Sequence, residues 1–202
     1  MENTKKIGLC GRSGSGKGYV AKVFTAFGGY HVDTDMVYRE LLEPLDGKLS
    51  ECLAELSEAF GAEIVTDELR LDRRKLAGIV FSDREKLALL NKITHKYILD
   101  ETMKRIWRTD ALFALIDAPV LFESGFDKYC DCTVGVVAND EICIERIVSR
   151  DGIDKEAAER RLSNQLSADE IASRCDFVVV NDNKTEIRPA VQKILVEIGI
   201  IK

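Results

Sequence analysis

A glycine-rich segment near the start of the chain restricts its fold more than any other feature of the sequence. Residues 11–17 read Gly-Arg-Ser-Gly-Ser-Gly-Lys and match the pattern G-x-x-x-x-G-K. A short apolar run, 7–10, comes directly before this segment. Apolar residues at helical spacing follow it: Val20, Val23, Phe24 and Phe27. This order of strand, glycine loop and helix predicts that backbone N–H groups of the loop bind the phosphates of a nucleotide.

The same loop contains most of the residues that we predict to bind ATP. Glycine allows the backbone to turn successive N–H groups inward, and Lys17 adds a positive charge that reaches the β and γ phosphates. The predicted contacts here are Gly11, Ser13, Gly14, Ser15, Gly16, Lys17 and Gly18. A dinucleotide-binding loop is rejected because the three glycines from Gly14 to Gly18 do not follow G-x-G-x-x-G. Gly18 replaces the Ser or Thr whose hydroxyl binds Mg²⁺, which predicts weakened metal positioning.

The rest of the chain alternates between β and α patterns. Further apolar strands are predicted at 30–32, 112–116, 133–137 and 177–180. Residues 36–110 look helical, with segments at 36–43, 47–60, 72–81 and 84–107. Ser82 and Glu85 fit a capping box at the start of the last of these segments. The sequence therefore predicts an α/β fold with three layers around a parallel sheet.

The helical stretches divide the chain into three parts of what we expect to be a single domain, 1–202. The core is predicted to comprise 1–35, 111–150 and 175–202. A helical block between two core strands, 36–110, is expected to be an inserted substrate-binding subdomain. The charged helical stretch 151–174 contains little apolar sequence and is expected to be a lid that closes over the nucleotide.

Charge and composition exclude several classes of function. The net charge is −6 and the isoelectric point is about 5.1, which argues against a general affinity for nucleic acid or anionic membranes. We find no apolar run long enough to span a bilayer. The polar start of the chain, Met1 to Lys6, leads us to expect no signal peptide and a cytoplasmic protein. The six cysteines lack C-x-x-C spacing and are expected to be reduced structural thiols.

Three aspartates come at the carboxyl ends of predicted strands, where ligands bind in open parallel sheets. Asp33 and Asp35 follow the second strand, and Asp117 ends the third. A carboxylate at this edge can accept the proton of an attacking hydroxyl, a role that we favour for Asp35. Asp33 or Asp117 could hold Mg²⁺ through water. An aspartate before a helix is also a good N-cap, and the sequence leaves that alternative open.

Several further motifs resemble those of dephospho-coenzyme A kinases. In chain order they are 32–35 with 39–41 (hIDAD…REL), 71–73, 79–83 and 93–95 (LDR…IVF-D…I-HP), 117–123 (D-PLLFE), and Arg146, 150–152, Arg161 and Gln165 (R…RDG…R…Q), followed by Asn181. The resemblance covers nearly the whole chain in order. It departs from the family pattern at Arg12, Ser13, Gly18, Lys96 and Asn183.

The resemblance implies a P-loop kinase that phosphorylates the ribose 3′-hydroxyl of dephospho-coenzyme A with Mg²⁺-ATP, the last step of coenzyme A biosynthesis. It implies catalytic roles for Asp35 as general base and for Lys17 and Arg150. It also adds Arg150, Arg161 and Asn181 to the residues predicted to bind ATP. The residues predicted to bind the acceptor are Asp33, Arg39, His95, Phe122 and Glu123. His31 is expected to be structural, and Arg146 and Arg160 are expected to be surface residues.

Two other functions remain open on the sequence. Another small-molecule kinase of the nucleoside-monophosphate kinase type would share the phosphate loop and the lid, but not the Asp-x-Asp and Pro-x-Leu-Phe-Glu motifs. A non-catalytic protein that binds a nucleotide or coenzyme A would explain Gly18, because this residue cannot ligate the metal. Retention of Lys17 and Asp35 counts against that second alternative.

Overall fold

The computed structural model describes residues 4–202 and divides the chain into two compact units. The sheet unit comprises Met1–Val32 and Arg108–Lys202, and the helical unit comprises Asp33–Trp107. Within the described residues, no helix combines the length and the apolar character that crossing a bilayer requires.

A five-stranded sheet forms the centre of the sheet unit. Its strands are β1 (Lys5–Gly11), β2 (Gly29–Asp33), β3 (Phe113–Asp117), β4 (Cys132–Val137) and β5 (Phe177–Val180). Their spatial order is β2-β3-β1-β4-β5, and β1 pairs in parallel with both β3 and β4. Strand β4 pairs in parallel with β5. The central strand β1 therefore carries the glycine loop out of the middle of the sheet.

Helices cover this sheet because its strands are apolar on both faces. Strand β3 is buried along its whole length. The helices of the sheet unit are α1 (Lys17–Thr25), α6 (Asp140–Asp151), α7 (Lys155–Ser163), α8 (Ala168–Arg174) and α9 (Ile187–Glu197). Helices α1 and α9 contribute Phe24 and Leu195 to the main core, where Phe24 meets Phe113 edge to face.

A second small apolar cluster joins α6 to α7. Ile147 of α6 and Leu162 of α7 are both buried in it, together with Ala158. Helix α7 begins where the Asp154 carboxylate accepts from the backbone N–H of Ala157, and α8 begins with a capping box between Ser167 and Glu170. The stretch 151–174 thus has apolar anchors and capped helices despite its charge.

The helical unit contains α2 (Thr34–Leu41), α3 (Glu51–Phe60), α4 (Arg73–Val80) and the long α5 (Arg84–Trp107). Its own core is made of apolar residues from all of these helices. The fully buried members are Leu53, Leu56 and Ile64. This core gives the inserted block an independent source of hydrophobic stability.

The structure confirms the predicted fold and corrects two local predictions. Helix α3 begins at Glu51 and not at residue 47, because the Ser50 hydroxyl caps it by accepting from the N–H of Leu53. Gly47 instead lies in a turn with positive φ. The start of α5 is capped by the Asp83 carboxylate, which accepts from the N–H groups of Glu85 and Lys86. The predicted capping role of Ser82 was therefore wrong.

Candidate active site

The phosphate loop, Gly11 to Lys17, joins the end of β1 to the start of α1. Gly14 and Gly16 have positive φ values of 77° and 84°. A Cβ at Gly14 would lie 2.4 Å from the carbonyl oxygen of Cys143, and one at Gly16 would lie 2.0 Å from Nδ2 of Asn181. Both the backbone angle and the lack of space therefore favour glycine at these positions, and a larger residue would strain the loop.

Two side chains hold the carbonyl groups of the phosphate loop. Asn181, which is buried, donates to the carbonyl of Ser15 at 2.8 Å. Arg146 donates to the carbonyl of Gly14 at 3.0 Å and also to the carbonyl of Asn181 at 3.1 Å. The expectation that Arg146 is a surface residue was therefore wrong. It is partly buried and connects the loop to the segment that follows β5.

The other side of the loop contacts the segment that contains α7. The backbone N–H of Ser13 donates to Oε1 of Gln165 at 2.9 Å. Arg12 is buried, lies 2.7 Å from an Asp140 carboxylate oxygen and reaches the carbonyl of Leu162 at 3.4 Å. The side-chain oxygen of Gln165 thus holds an N–H group of the loop, and Arg12 fixes the loop to the same region of the chain.

Lys17, Asp117 and His31 form a chain of polar contacts at the carboxyl edge of the sheet. The Lys17 ammonium and His31 Nε2 bind opposite carboxylate oxygens of Asp117, with His31 at 3.1 Å. Burial raises the pKa of Asp117, but the hydrogen bond from His31 and the charge of Lys17 outweigh it, and the net shift is downward. His31, expected to be only structural, therefore contacts the partner of the loop lysine.

An open groove lies beside the phosphate loop and has a volume of about 750 Å³. Its walls include Gly16 and Tyr19 from the loop and α1, Arg146 and Asn181, and Arg188 of α9. Asn183, also in its wall, has positive φ and accepts from Arg146 at 2.5 Å. The groove therefore continues the phosphate loop towards the start of α9.

The two arginines predicted for the lid meet on one carboxylate. Arg150 binds both oxygens of Asp151, at 2.7 and 2.9 Å, and Arg161 binds the same carboxylate. All three side chains are solvent-accessible. These bonds, led by the one from Arg150, lower the pKa of Asp151. Arg150 and Arg161 therefore share one partner, Asp151.

Phe122 and Glu123 follow β3 and line a small cavity of about 100 Å³ with Gly11 and Arg12 of the loop. The guanidinium of Arg174, in α8, lies 5.8 Å from the centre of the Phe122 ring. The structure therefore brings these two predicted acceptor residues beside the phosphate loop.

The other predicted acceptor and catalytic residues belong to the helical unit. Asp33 is the N-cap of α2, and its carboxylate accepts from the N–H of Asp35 at 2.9 Å. Asp35 and Arg39 lie on α2 and are exposed to solvent. His95 is half-buried on α5, and this burial lowers its pKa. Asp33 is thus a helix N-cap, which is the alternative that the sequence left open for these aspartates.

A parallel sheet whose central strand runs into a glycine loop with a lysine at its end defines the class of P-loop kinases. A family model for dephospho-CoA kinase matches residues 5–186. The dephospho-CoA kinase of Corynebacterium glutamicum is 36% identical over 198 residues, which cover 96% of this chain and 99% of that protein. The chain belongs to the dephospho-CoA kinase family, and the predicted family and enzyme class are confirmed.

Solved structures agree with this assignment at the level of the fold. A crystal structure from Thermus thermophilus has a TM-score of 0.83 and 29% identity, and covers 98% of this chain and 99% of its own. The dephospho-CoA kinase from Campylobacter jejuni has a TM-score of 0.64 and 24% identity over 96% of each chain. The three-layer parallel architecture is therefore shared along nearly the entire length.

The lowered pKa of Asp117 predicts an effect on acid stability. A carboxyl group whose pKa is lower in the folded than in the unfolded protein stabilises the fold at a pH above its unfolded-state pKa. This contribution is lost as the pH falls through the folded-state pKa. Between about pH 6 and about pH 3, Asp117→Asn should lose less unfolding free energy than the original protein, because asparagine takes up no proton. Urea denaturation at each pH measures this difference. Asp110→Asn, at an exposed site, is the control. If the unfolding free energies of Asp117→Asn and of the original protein fell in parallel with pH, the lowered pKa of Asp117 would be contradicted.

Proposed function

We propose that the protein transfers the terminal phosphoryl group of ATP to the ribose 3′-hydroxyl of dephospho-coenzyme A. The products are coenzyme A and ADP, and the reaction is the last step of coenzyme A biosynthesis, carried out in the cytoplasm on a small-molecule substrate. The observation that carries the proposal is a built phosphate loop in a chain whose residues 5–186 match the family model.

ATP binding begins at the phosphate loop. Phosphate oxygens replace Gln165 at the N–H of Ser13, and Lys17 leaves Asp117 for the β and γ phosphates. A triphosphate carries more negative charge than a single carboxylate, which favours this exchange. The N-terminus of α1 adds its dipole to the attraction. Gly11, Gly14, Ser15, Gly16 and Gly18 supply the remaining backbone of the site.

The adenosine part of ATP occupies the groove beside the loop. Asn181 and Arg146 line the groove and hold the loop carbonyls at the same time. Nucleotide contacts in this groove therefore act directly on the residues that shape the loop. Arg188, at the far wall, is available for the ribose or the base.

Arg150 and Arg161 neutralise charge on the transferring phosphoryl group. Both side chains form ion pairs with Asp151, and both are accessible to solvent. Exchange from one exposed carboxylate to phosphate costs little, because an exposed ion pair contributes only about 0–1 kcal/mol. Arg fits phosphate through two parallel N–H groups, which suits a lid that must align the group in transfer.

Dephospho-coenzyme A is the acceptor of the phosphoryl group. Asp35 accepts the proton of the attacking 3′-hydroxyl as general base. The acceptor contacts that the family resemblance implies are Asp33, Arg39, His95, Phe122 and Glu123. Capping by Asp33 fixes the first turn of α2, and so orients Asp35.

The residues present are compatible with Mg²⁺, which prefers oxygen ligands and keeps several waters. A Cβ added at Gly18 would meet nothing within 4 Å, so a water has room there in place of the absent hydroxyl. The Asp117 carboxylate can hold the ion through water once Lys17 has moved to the phosphates, and Asp33 is a second candidate. Bound Mg²⁺ would neutralise charge on the phosphate oxygens.

A direct assay tests the proposal. The protein is mixed with ATP, Mg²⁺ and dephospho-coenzyme A, and ADP is followed together with coenzyme A. We expect turnover with this acceptor and none with nucleoside monophosphates. Turnover with a nucleoside monophosphate alone would show another kinase of the same class. ATP binding without any turnover would show a non-catalytic homologue, the alternative that the absent hydroxyl at Gly18 left open.

Replacement of the proposed general base should slow the reaction strongly. Asp35→Asn is expected to lower kcat by about 100-fold or more, since asparagine cannot accept the proton. Steady-state kinetics with saturating ATP measure the effect. Asp100→Asn, an exposed aspartate on α5, is the matched control and should leave kcat unchanged. An Asp35→Asn enzyme with the original kcat would remove Asp35 from this role.

Restoring the hydroxyl at the end of the phosphate loop should improve metal use. Gly18→Ser is expected to lower the Mg²⁺ concentration that gives half-maximal activity, because serine supplies a ligand at an open position. Activity titrated with Mg²⁺ at fixed ATP measures this. Gly78→Ser, at an equally open glycine of α4, is the control. An unchanged or higher Mg²⁺ requirement for Gly18→Ser would contradict our account of Gly18.

A further inference from the structure

Two thiols meet directly beneath the phosphate loop. Cys10 lies on β1 immediately before Gly11, and Cys175 ends α8 just before β5. Their sulfur atoms are 3.5 Å apart, although the residues are 165 positions apart in the sequence. All six cysteines of the chain are free thiols in this structure. The contact therefore joins the strand that carries the loop to the end of the lid.

A glycine in the strand between them makes this contact possible. Cys10 pairs with Gly135 on β4, which separates β1 from β5 in the sheet. A Cβ at Gly135 would lie 3.0 Å from the sulfur of Cys175 and 2.8 Å from a methyl group of Ile171. Any larger residue would therefore push Cys175 away, and Gly135 leaves the space through which it approaches Cys10.

The two thiols differ in exposure and in acidity. Cys10 is 3% exposed, whereas Cys175 is partly accessible to solvent. The hydrogen bond between them lowers the pKa of Cys175, while the same bond and burial raise the pKa of Cys10. Burial raises the pKa of the other partly exposed thiols, Cys130 and Cys132, to about 12 and about 11. Cys175 is thus the thiol with the most favourable environment for reaction.

We propose that Cys10 and Cys175 are a site of oxidative modification, in which a small-molecule disulfide converts the two thiols into an intramolecular disulfide. The Cys175 thiolate attacks one sulfur of the reagent and releases one thiolate, which leaves a mixed disulfide on Cys175. The Cys10 thiolate then attacks the Cys175 sulfur and releases the second thiolate. Two protein thiols are oxidised, one reagent disulfide is reduced to two thiols, and each released thiolate takes up a proton.

The disulfide acts on the phosphate loop. The sulfur atoms must close from 3.5 Å to about 2.05 Å, and Cys10 is bonded to the first glycine of the loop. The small cavity that Cys10, Gly11 and Ile171 line gives these groups room to shift. Oxidation therefore displaces Gly11 or the end of α8, and weakens nucleotide binding. This consequence rests on the proposed function, whereas formation of the disulfide does not.

The test uses the full chain and oxidised glutathione. Remaining free thiols are alkylated, and non-reducing peptide mass spectrometry locates the disulfide. Calorimetry measures the Kd for ATP before oxidation, after it, and after treatment with dithiothreitol. We expect a peptide pair that links Cys10 to Cys175, and a Kd raised by about fivefold or more that dithiothreitol restores.

Variants separate this pair from the other cysteines. Cys175→Ser and Cys10→Ala should retain the Kd of the reduced protein in the presence of oxidised glutathione, and Cys132→Ser should respond as the original protein does. Adducts confined to Cys130 or Cys132 would overturn the proposal, and so would a Cys10–Cys175 disulfide with an unchanged Kd. The peptide map decides whether the disulfide forms even if the reduced protein binds no ATP, a result that would contradict the proposed function instead.

Discussion

The phosphate loop depends on two hydrogen bonds to its own carbonyl groups. Asn181 and Arg146 bind the carbonyls of Ser15 and Gly14. Because the peptide group is planar and trans, fixing the carbonyl of Ser15 on one side fixes the N–H of Gly16 on the other. The N–H groups can then be presented to an anion without a search through loop conformations, which saves the entropy of ordering them on binding. In the proposed reaction, Lys17 and the lid arginines would act on a ligand that this arrangement has already placed.

Local sequence patterns were sufficient to predict the fold and the phosphate loop, but not the distant side chains that hold the loop in place. Glycine spacing and apolar runs are local signals of a phosphate loop and of strands, so β1, α1 and the five-stranded sheet were predictable. Arg146 was misjudged because its partner, Gly14, lies 132 positions away, and the contact of His31 with Asp117, 86 positions away, was not predicted. No periodicity encodes such pairs. They exist only because parallel strands bring distant segments to the same edge of the sheet.

Arg12 illustrates how a departure from the family pattern can be accommodated. A long cationic side chain inside a phosphate loop would be costly if its charge were buried without a partner. Here the side chain is buried, and its end meets the carboxylate of Asp140 and the carbonyl of Leu162. The charge is thereby paired, and the side chain fixes the loop to α6 and α7. The sequence showed the departure, and only the fold shows its partners.

In the proposed reaction, Gly18 would place a larger share of metal positioning on Asp117. Lys17 binds one oxygen of this carboxylate, and His31 binds the other. When Lys17 moves to the phosphates, His31 would continue to hold its oxygen and so preserve the orientation of the carboxylate. A site that lacks the loop hydroxyl could in this way still position a metal-bound water, because the histidine restrains the carboxylate.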